Sequence, residues 1–245
     1  MGPVGAGPVT AAFYNFCPPM VAAAVPACWE VVEPVALVRI RAEAAAEALA
    51  AVCGPGVLDA LVAALPLLRR LVGACGGQGR ILTGVNRALW PRLEDAVAGP
   101  LAPVAEIWQT TTTLREHRGD GHVAALVVYG LSGLEAHLLV TGTEGVAVET
   151  LRDNRGWSGR DWRDGADGLV RRGLLDAEGR ATEEGHALRR AVEAMTDHLA
   201  EVPWTVLEPV ELGAVTAALQ GAAEEIQSSG LYPFPNPMGL PQLAS

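Results

Sequence analysis

The chain has 245 residues, half of them hydrophobic and 19% charged, which excludes wholesale disorder and leaves ample material for a buried core. A formal net charge of −10 repels polyanions on average, so a nucleic-acid partner needs a local basic patch. All 18 basic residues are Arg, the mark of a GC-rich genome.

Cys17, Cys28, Cys53 and Cys75 lie far apart, without CxxC or zinc-finger spacing, so reduced, unpaired thiols in a cytoplasmic protein are expected. The start, "MGPVGAGPVT", has neither the basic residues nor the apolar core of a signal peptide. The run Val123 to Val140 is long enough to raise a membrane span, but Glu135, His137 and two Gly favour a helix buried in a soluble core.

Taken in chain order, "FYNF" at 13–16 is an aromatic-polar patch closed by Pro18 and Pro19. Strong helix formers and a first-turn Pro predict a helix over Pro34 to Val52. Apolar spacing predicts another over Val57 to Cys75, with a kink at Pro66. "GGQG" at 76–79 lacks the ending of a phosphate loop and carries no nucleotide role. A weaker helix is expected over Asn86 to Ala98, then one over Pro103 to His117. Gly119-Asp120-Gly121 reads as a break, with Asp120 capping a further helix from His122 to about Leu139.

Ser158 is a good N-cap for Gly159 to Arg172. Leu174–Asp176 and Arg180–Thr182 can pair across a tight turn as a small β-hairpin, after which Thr182 opens a helix to about Ala200. A last helix spans Pro209 to Ser228, followed by a Pro-pinned tail in which Asn236 is placed to bond backbone. The expected architecture is mainly α: an N-terminal helical part over 1–120, a winged-helix domain with that hairpin over 121–205, and a helix and tail over 206–245 packing back.

"LVRRGLLDAEGRATEEGHAL" resembles the recognition-helix end and wing of the MarR regulators. Nearly the whole chain resembles an actinobacterial family of winged-helix-like, helix-turn-helix proteins. The residues that carry the resemblance are "GPV" at 7–9, "FYNF", "LREHRGDGHVAAL" at 114–126, "GL-GLE" at 130–135, "RGWS" at 155–158 and "PFPNP" at 233–237. The resemblance implies a fold and candidate site positions, but no reaction, because folds host many functions. It also implies a further helix ahead of Gly7 in relatives.

The chemistry is concentrated in "TLREHRGDGH", Thr113 to His122. His117, Asp120 and His122 are spaced H-x-x-D-x-H, which could hold a divalent metal, yet no fourth ligand is visible nearby, so no metal is expected. Arg115 and Arg118 lie three apart and could fork onto an anionic oxygen, while His117 or His122 moves a proton with its tautomer set by a neighbouring carboxylate. Tyr14 and Asn15 can orient a flat organic ligand, with Trp157 near it. A pocket is expected where the "FYNF" turn, the "REHRGDGH" loop and Trp157 meet. His137, inside an apolar helix, reads as a satisfied core histidine.

The leading reading is a small-molecule protein on a winged-helix scaffold, with catalytic His117, Asp120 and His122 in specialised metabolism and no cofactor. The rival is a ligand-responsive, MarR-like DNA-binding regulator, compatible with a homodimer. The candidate recognition helix sets Asp161, Asp164 and Asp167 against Arg160, Arg163, Arg171 and Arg172, a balance that disfavours DNA.

Overall fold

Proline and capping residues set the helix starts. In the computed structural model, which describes residues 2–93, 97–234, 236 and 242–243, Pro18, Pro34, Pro55 and Pro209 each open a helix, where the missing N–H costs nothing. The helices are α1 (Ala6–Ala12), α2 (Pro18–Ala24), α3 (Cys28–Val31), α4 (Pro34–Val52), α5 (Pro55–Ala74) and α6 (Ile81–Leu93). They continue as α7 (Ala102–Val128), α8 (Gly133–Glu144), α9 (Val148–Arg152), α10 (Gly159–Arg171), α11 (Glu183–Glu201) and α12 (Pro209–Ser228). The predicted helices from Pro34 and Pro209 have these bounds, and Pro66 sits inside an unbroken α5. Of the weaker helix expected over Asn86 to Ala98, residues 94–96 lie outside the described residues, as do Pro235 and Pro237 of "PFPNP"; Asn236 itself is buried.

The chain divides into two compact units. One joins the first 31 residues to Gly121–His198; the other joins Val32–Asp120 to Leu199–Phe234. In the second, Leu61, Leu65, Leu68 and Leu71 of α5 pack with Ile107 of α7 and Val215, Ala218 and Ala222 of α12. Small residues on α12 let the two backbones approach closely. In the first, Leu126, Leu131, Leu134, Leu138 and Leu139 enclose Trp162 and Leu169 of α10.

Two corrections arise here. The expected break at Gly119–Gly121 is absent, because α7 runs through all three residues. Each interior Gly costs about 1 kcal/mol of helix propensity, a weak preference that tertiary packing overrides. The real break comes later, at Gly130, whose φ of +65° ends the helix, and Ser132, which opens α8 with a reciprocal Ser132–Glu135 capping box. There α8 turns 95° away from α7, so the apolar run over Val123 to Val140 is two helices. No single helix among the described residues is long and apolar enough to cross a membrane.

The second correction concerns the hairpin. No strand forms among the described residues; the segment keeps one antiparallel bridge, Leu175 to Ala181. The Asp176 carboxylate accepts from the backbone N–H groups of Glu178 and Arg180 at 3.0 and 2.9 Å, which tightens the turn. The N–H of Ala181 then donates to the Gly142 carbonyl of α8 at 3.1 Å. The Asp176 N–H donates to the Arg180 carbonyl at 2.8 Å and the Thr182 N–H to the Leu174 carbonyl at 3.1 Å, so the pairing is limited to the two bonds that flank this bridge.

Candidate functional site

The "FYNF" turn is clamped from four sides within the first unit. Tyr14 donates its hydroxyl to the Leu131 carbonyl at 2.7 Å. The Trp157 indole N–H donates to the Asn15 carbonyl at 3.1 Å, and the Cys17 N–H to the Arg155 carbonyl at 2.9 Å. The Arg155 guanidinium lies 4.5 Å above the Phe16 ring. Gly133 completes the clamp: a Cβ there would sit 2.2 Å from the Tyr14 carbonyl oxygen and 2.7 Å from the Asn15 Cα. Only Gly lets the turn lie directly on the start of α8. Three sequence patches far apart in the chain, "FYNF", "GL-GLE" and "RGWS", therefore meet in one place.

Beneath this turn lies a cavity of about 50 Å³ whose lining includes Asn15, His122, Ala136, His137, Val140 and Arg189. His137, on α8, is 7% exposed. The Asn15 carbonyl holds one of its ring N–H groups, while Nε2 is buried and meets no donor among the described residues. The Asn15 side-chain oxygen, Oδ1, is likewise buried without a donor among them. Burial, reinforced by the positive charge of Arg155, pushes the His137 pKa down to about 4, so its ring is neutral near pH 7 and Nε2 carries a lone pair. The expectation of a core histidine is right about burial and wrong about satisfaction.

His122 enters from the C-terminal third of α7. Its Nδ1 lies 3.0 Å from the Thr196 hydroxyl and 3.8 Å from the Glu193 carboxylate. Thr196 already donates its hydroxyl proton to the Val192 carbonyl at 2.8 Å, so Nδ1 of His122 is the donor in that pair. Arg189 bonds Glu144 at 2.9 Å and also Glu193, one cation shared between two carboxylates at this wall of the cavity.

The remaining predicted residues sit in the second unit and do different work. Asp120 is a cap supplied from outside the helix it serves. Its carboxylate accepts from the N–H groups of Leu82 and Thr83 at 3.2 and 2.8 Å, and from the Thr83 hydroxyl at 2.7 Å, at the start of α6. A carboxylate there meets orphan donors and the positive end of the helix dipole. Arg80, just before α6, donates to the carbonyls of His117 and Leu199 at 2.5 and 2.7 Å. These bonds continue a polar seam of buried residues: Thr83 and Asn86 on α6, Gln109, Thr110, Thr113 and His117 on α7. Gln109 donates to the Asn86 side chain at 3.1 Å, and Thr113 to the Gln109 carbonyl at 2.8 Å.

The expected trio of His117, Asp120 and His122 is thus not a loop constellation. In continuous helix, five residues turn the chain about 140° past a full turn, so His117 and His122 leave α7 in different directions. His117 is 4% exposed with both ring nitrogens lacking a partner among the described residues, and burial, then Arg80, lowers its pKa. Arg115 is bonded to its neighbour Glu116 at 2.7 Å, and Arg118 is exposed. No group of three or more His, Cys, Asp or Glu among the described residues is arranged to hold a metal ion. The second unit also carries an open hollow of about 430 Å³ at Leu65, Pro66 and Trp90. Its charged members, Arg69 and Glu106, bond each other through two 2.6 Å contacts, which leaves the smaller cavity as the richer chemistry.

Spacing along the chain gave no warning of His137, Arg189, Glu193 or Thr196. The usable signal was the Gly at 133, four residues before His137 and so on the same helix face.

The model of a helix-turn-helix family matches residues 1–233, and the chain belongs to that family. No curated protein and no solved structure gives a significant match.

Proposed function

We propose that this helix-turn-helix family member binds a small organic molecule, whose polar tip enters the cavity between Asn15, His122 and His137. The observation that carries this reading is a cavity lined by Asn15, His122 and His137, two of which also hold a buried acceptor, Asn15 Oδ1 and His137 Nε2, without a donor among the described residues. A buried polar group left unpaired costs about 1–3 kcal/mol, a cost that a ligand group or an ordered water at the cavity relieves. A cavity of about 50 Å³ accepts a functional group and not a whole ligand, so the body of the molecule lies outside it. In any acid–base chemistry the proton acceptor is the His137 lone pair, with His122 beside it. That assignment replaces the one centred on Asp120, whose carboxylate is taken up by three hydrogen bonds. The test is a fragment library screened by ligand-observed NMR against the wild-type chain and against His137→Phe, which fills the cavity and removes the acceptor. Hits lost in the variant support the reading; a library that gives none overturns it.

A second reading, a ligand-responsive DNA-binding regulator, is favoured by the capped α10 and the turn that follows it. Arg160, Arg163 and Arg171 are exposed on α10, but so are Asp161, Asp164 and Asp167. Arg160 lies 3.6 Å from Asp164, and Arg180 of the following turn bonds both Asp176 and Glu178. Cations already answered by carboxylates release few counterions on phosphate, so binding to the chain's own upstream DNA is expected at the non-specific level at two salt concentrations. Tight, salt-sensitive, sequence-dependent binding makes the cavity the effector site of a regulator.

A further inference from the structure

We propose that the larger hollow, in the second unit, is a separate binding site, independent of what enters the first. Its ligand is an uncharged, flat, mainly apolar molecule that carries a hydrogen-bond donor, indole being a small example.

The floor of the hollow is one face of α5. Val62, Leu65, Pro66 and Arg69 follow the i, i+3, i+4, i+7 pattern, a stripe about 10 Å long. Pro66 stands in the interior of that helix, the costliest residue to place there. It brings no N–H, so the Val62 carbonyl, four residues earlier, loses the donor that the helix ladder gives to its neighbours. The adjacent N–H groups each have their own carbonyl to serve. An acceptor is therefore left on the stripe itself, between Val62 and Pro66, which both line the hollow. Water answers it while the face is open to solvent. A molecule that covers the stripe must bring a donor of its own or leave the carbonyl unpaired.

The rest of the lining sets the class. A volume of about 430 Å³ lies within the roughly 300–1,000 Å³ usual for small-molecule sites. Pro66, Pro103 and Trp90 are rigid rings, so these walls are preset, and Trp90 gives a flat ring an aromatic partner. The two charged members answer each other: Arg69 and Glu106 form a fork with both contacts at 2.6 Å. A charged ligand would have to open that fork to gain a partner, whereas a neutral one leaves it closed.

Four probes built on one fused-ring shape test this: indole, benzofuran, indoleacetate and tryptamine. Benzofuran keeps the outline of indole with oxygen in place of the N–H, and the other two add a negative or a positive charge. Each is titrated into the full-length chain carrying fluorotryptophan, following the fluorine resonance assigned to Trp90 with Trp90→Phe. Indole is expected to move it saturably, with a Kd on the order of millimolar for so small a molecule. Benzofuran is expected to bind about tenfold more weakly, the worth of one hydrogen bond, and both charged probes more weakly than indole. Pro66→Ala gives α5 an N–H for the Val62 carbonyl; helical circular dichroism is expected to persist, and the gap between indole and benzofuran to close. The wild-type comparison stands by itself if the variant misfolds. Equal binding of indole and benzofuran by the wild-type chain, or a gap that survives in folded Pro66→Ala, overturns the assigned donor. Tighter binding of a charged probe overturns the neutral class. No saturable shift at Trp90 with any probe overturns the site. So does a dimer in sedimentation that Val62→Glu splits, which gives the face to a second copy of the chain.

Discussion

The two units bury polar side chains in different ways. In the second, the seam between α6 and α7 closes on itself: Asp120 answers Leu82 and Thr83, Gln109 answers Asn86, and Thr113 answers the Gln109 carbonyl. In the first, the "FYNF" turn is held by bonds of the same kind, yet two buried acceptors, Asn15 Oδ1 and His137 Nε2, are left without a donor among the described residues, on two residues that line a cavity. A polar network that satisfies its members fixes a helix in place, whereas one that leaves atoms of a single type unpaired beside a space leaves them for a guest group or an ordered water to answer. His117 is the exception inside the seam, since its ring is buried without partners among the described residues and lines no described cavity of comparable chemistry. Its backbone carbonyl, which accepts from Arg80, is the part with a visible task.

The strongest way to break the comparison is at Gly133. Gly133→Ala places a methyl 2.2 Å from the Tyr14 carbonyl, and backbone must move to accept it. A loss of about 3 kcal/mol or more is expected in chemical denaturation, together with loss of any His137 ligand response.

His137 also gives the site a pH signature. Its folded pKa of about 4 lies below the ordinary 6.5, so between those values the unfolded chain binds the proton and the folded chain does not. Stability is full above about pH 6.5 and falls as pH drops toward 4, by about 3 kcal/mol for this one group. His137→Gln is expected to flatten that part of the urea-midpoint profile relative to wild type. An identical slope in the two proteins contradicts the assignment.

On the seam, Asp120→Ala removes a cap and strips three donors of their acceptor, for an expected loss of about 2 kcal/mol. Asp120→Asn recovers about half of it. Both variants are expected to keep the wild-type response at His137, which is how a structural carboxylate is told from a catalytic one. The smallest effect belongs to the turn after α10. The Arg180 side chain is 72% exposed in its pairs with Asp176 and Glu178, so Arg180→Ala is expected to change stability by less than about 0.5 kcal/mol. A larger loss shows that the turn depends on the ion pair and not on the Asp176 backbone bonds.

Local chemistry made much of this protein legible from its sequence. Pro at the first turn marked α4 and α12, Ser158 marked α10, and Thr182 marked the start of α11, because helix ends are decided within one turn of chain. The sequence grouped the "FYNF" turn and Trp157 with the whole "REHRGDGH" segment; the fold brings Tyr14, Asn15, His122 and Trp157 into the first unit and leaves Arg115, His117, Arg118 and Asp120 in the second. Gly119-Asp120-Gly121 misled because turn residues are only weak helix breakers, and Asp120 finds its N–H partners 37 and 38 residues away in sequence, on α6. His137 was invisible as a site residue, since a lone His among Leu and Ala has no spacing to mark it. Its significance depends on which atoms the Asn15 carbonyl occupies and which it leaves, and that was decided only when residues 122 positions apart were brought together by long-range packing.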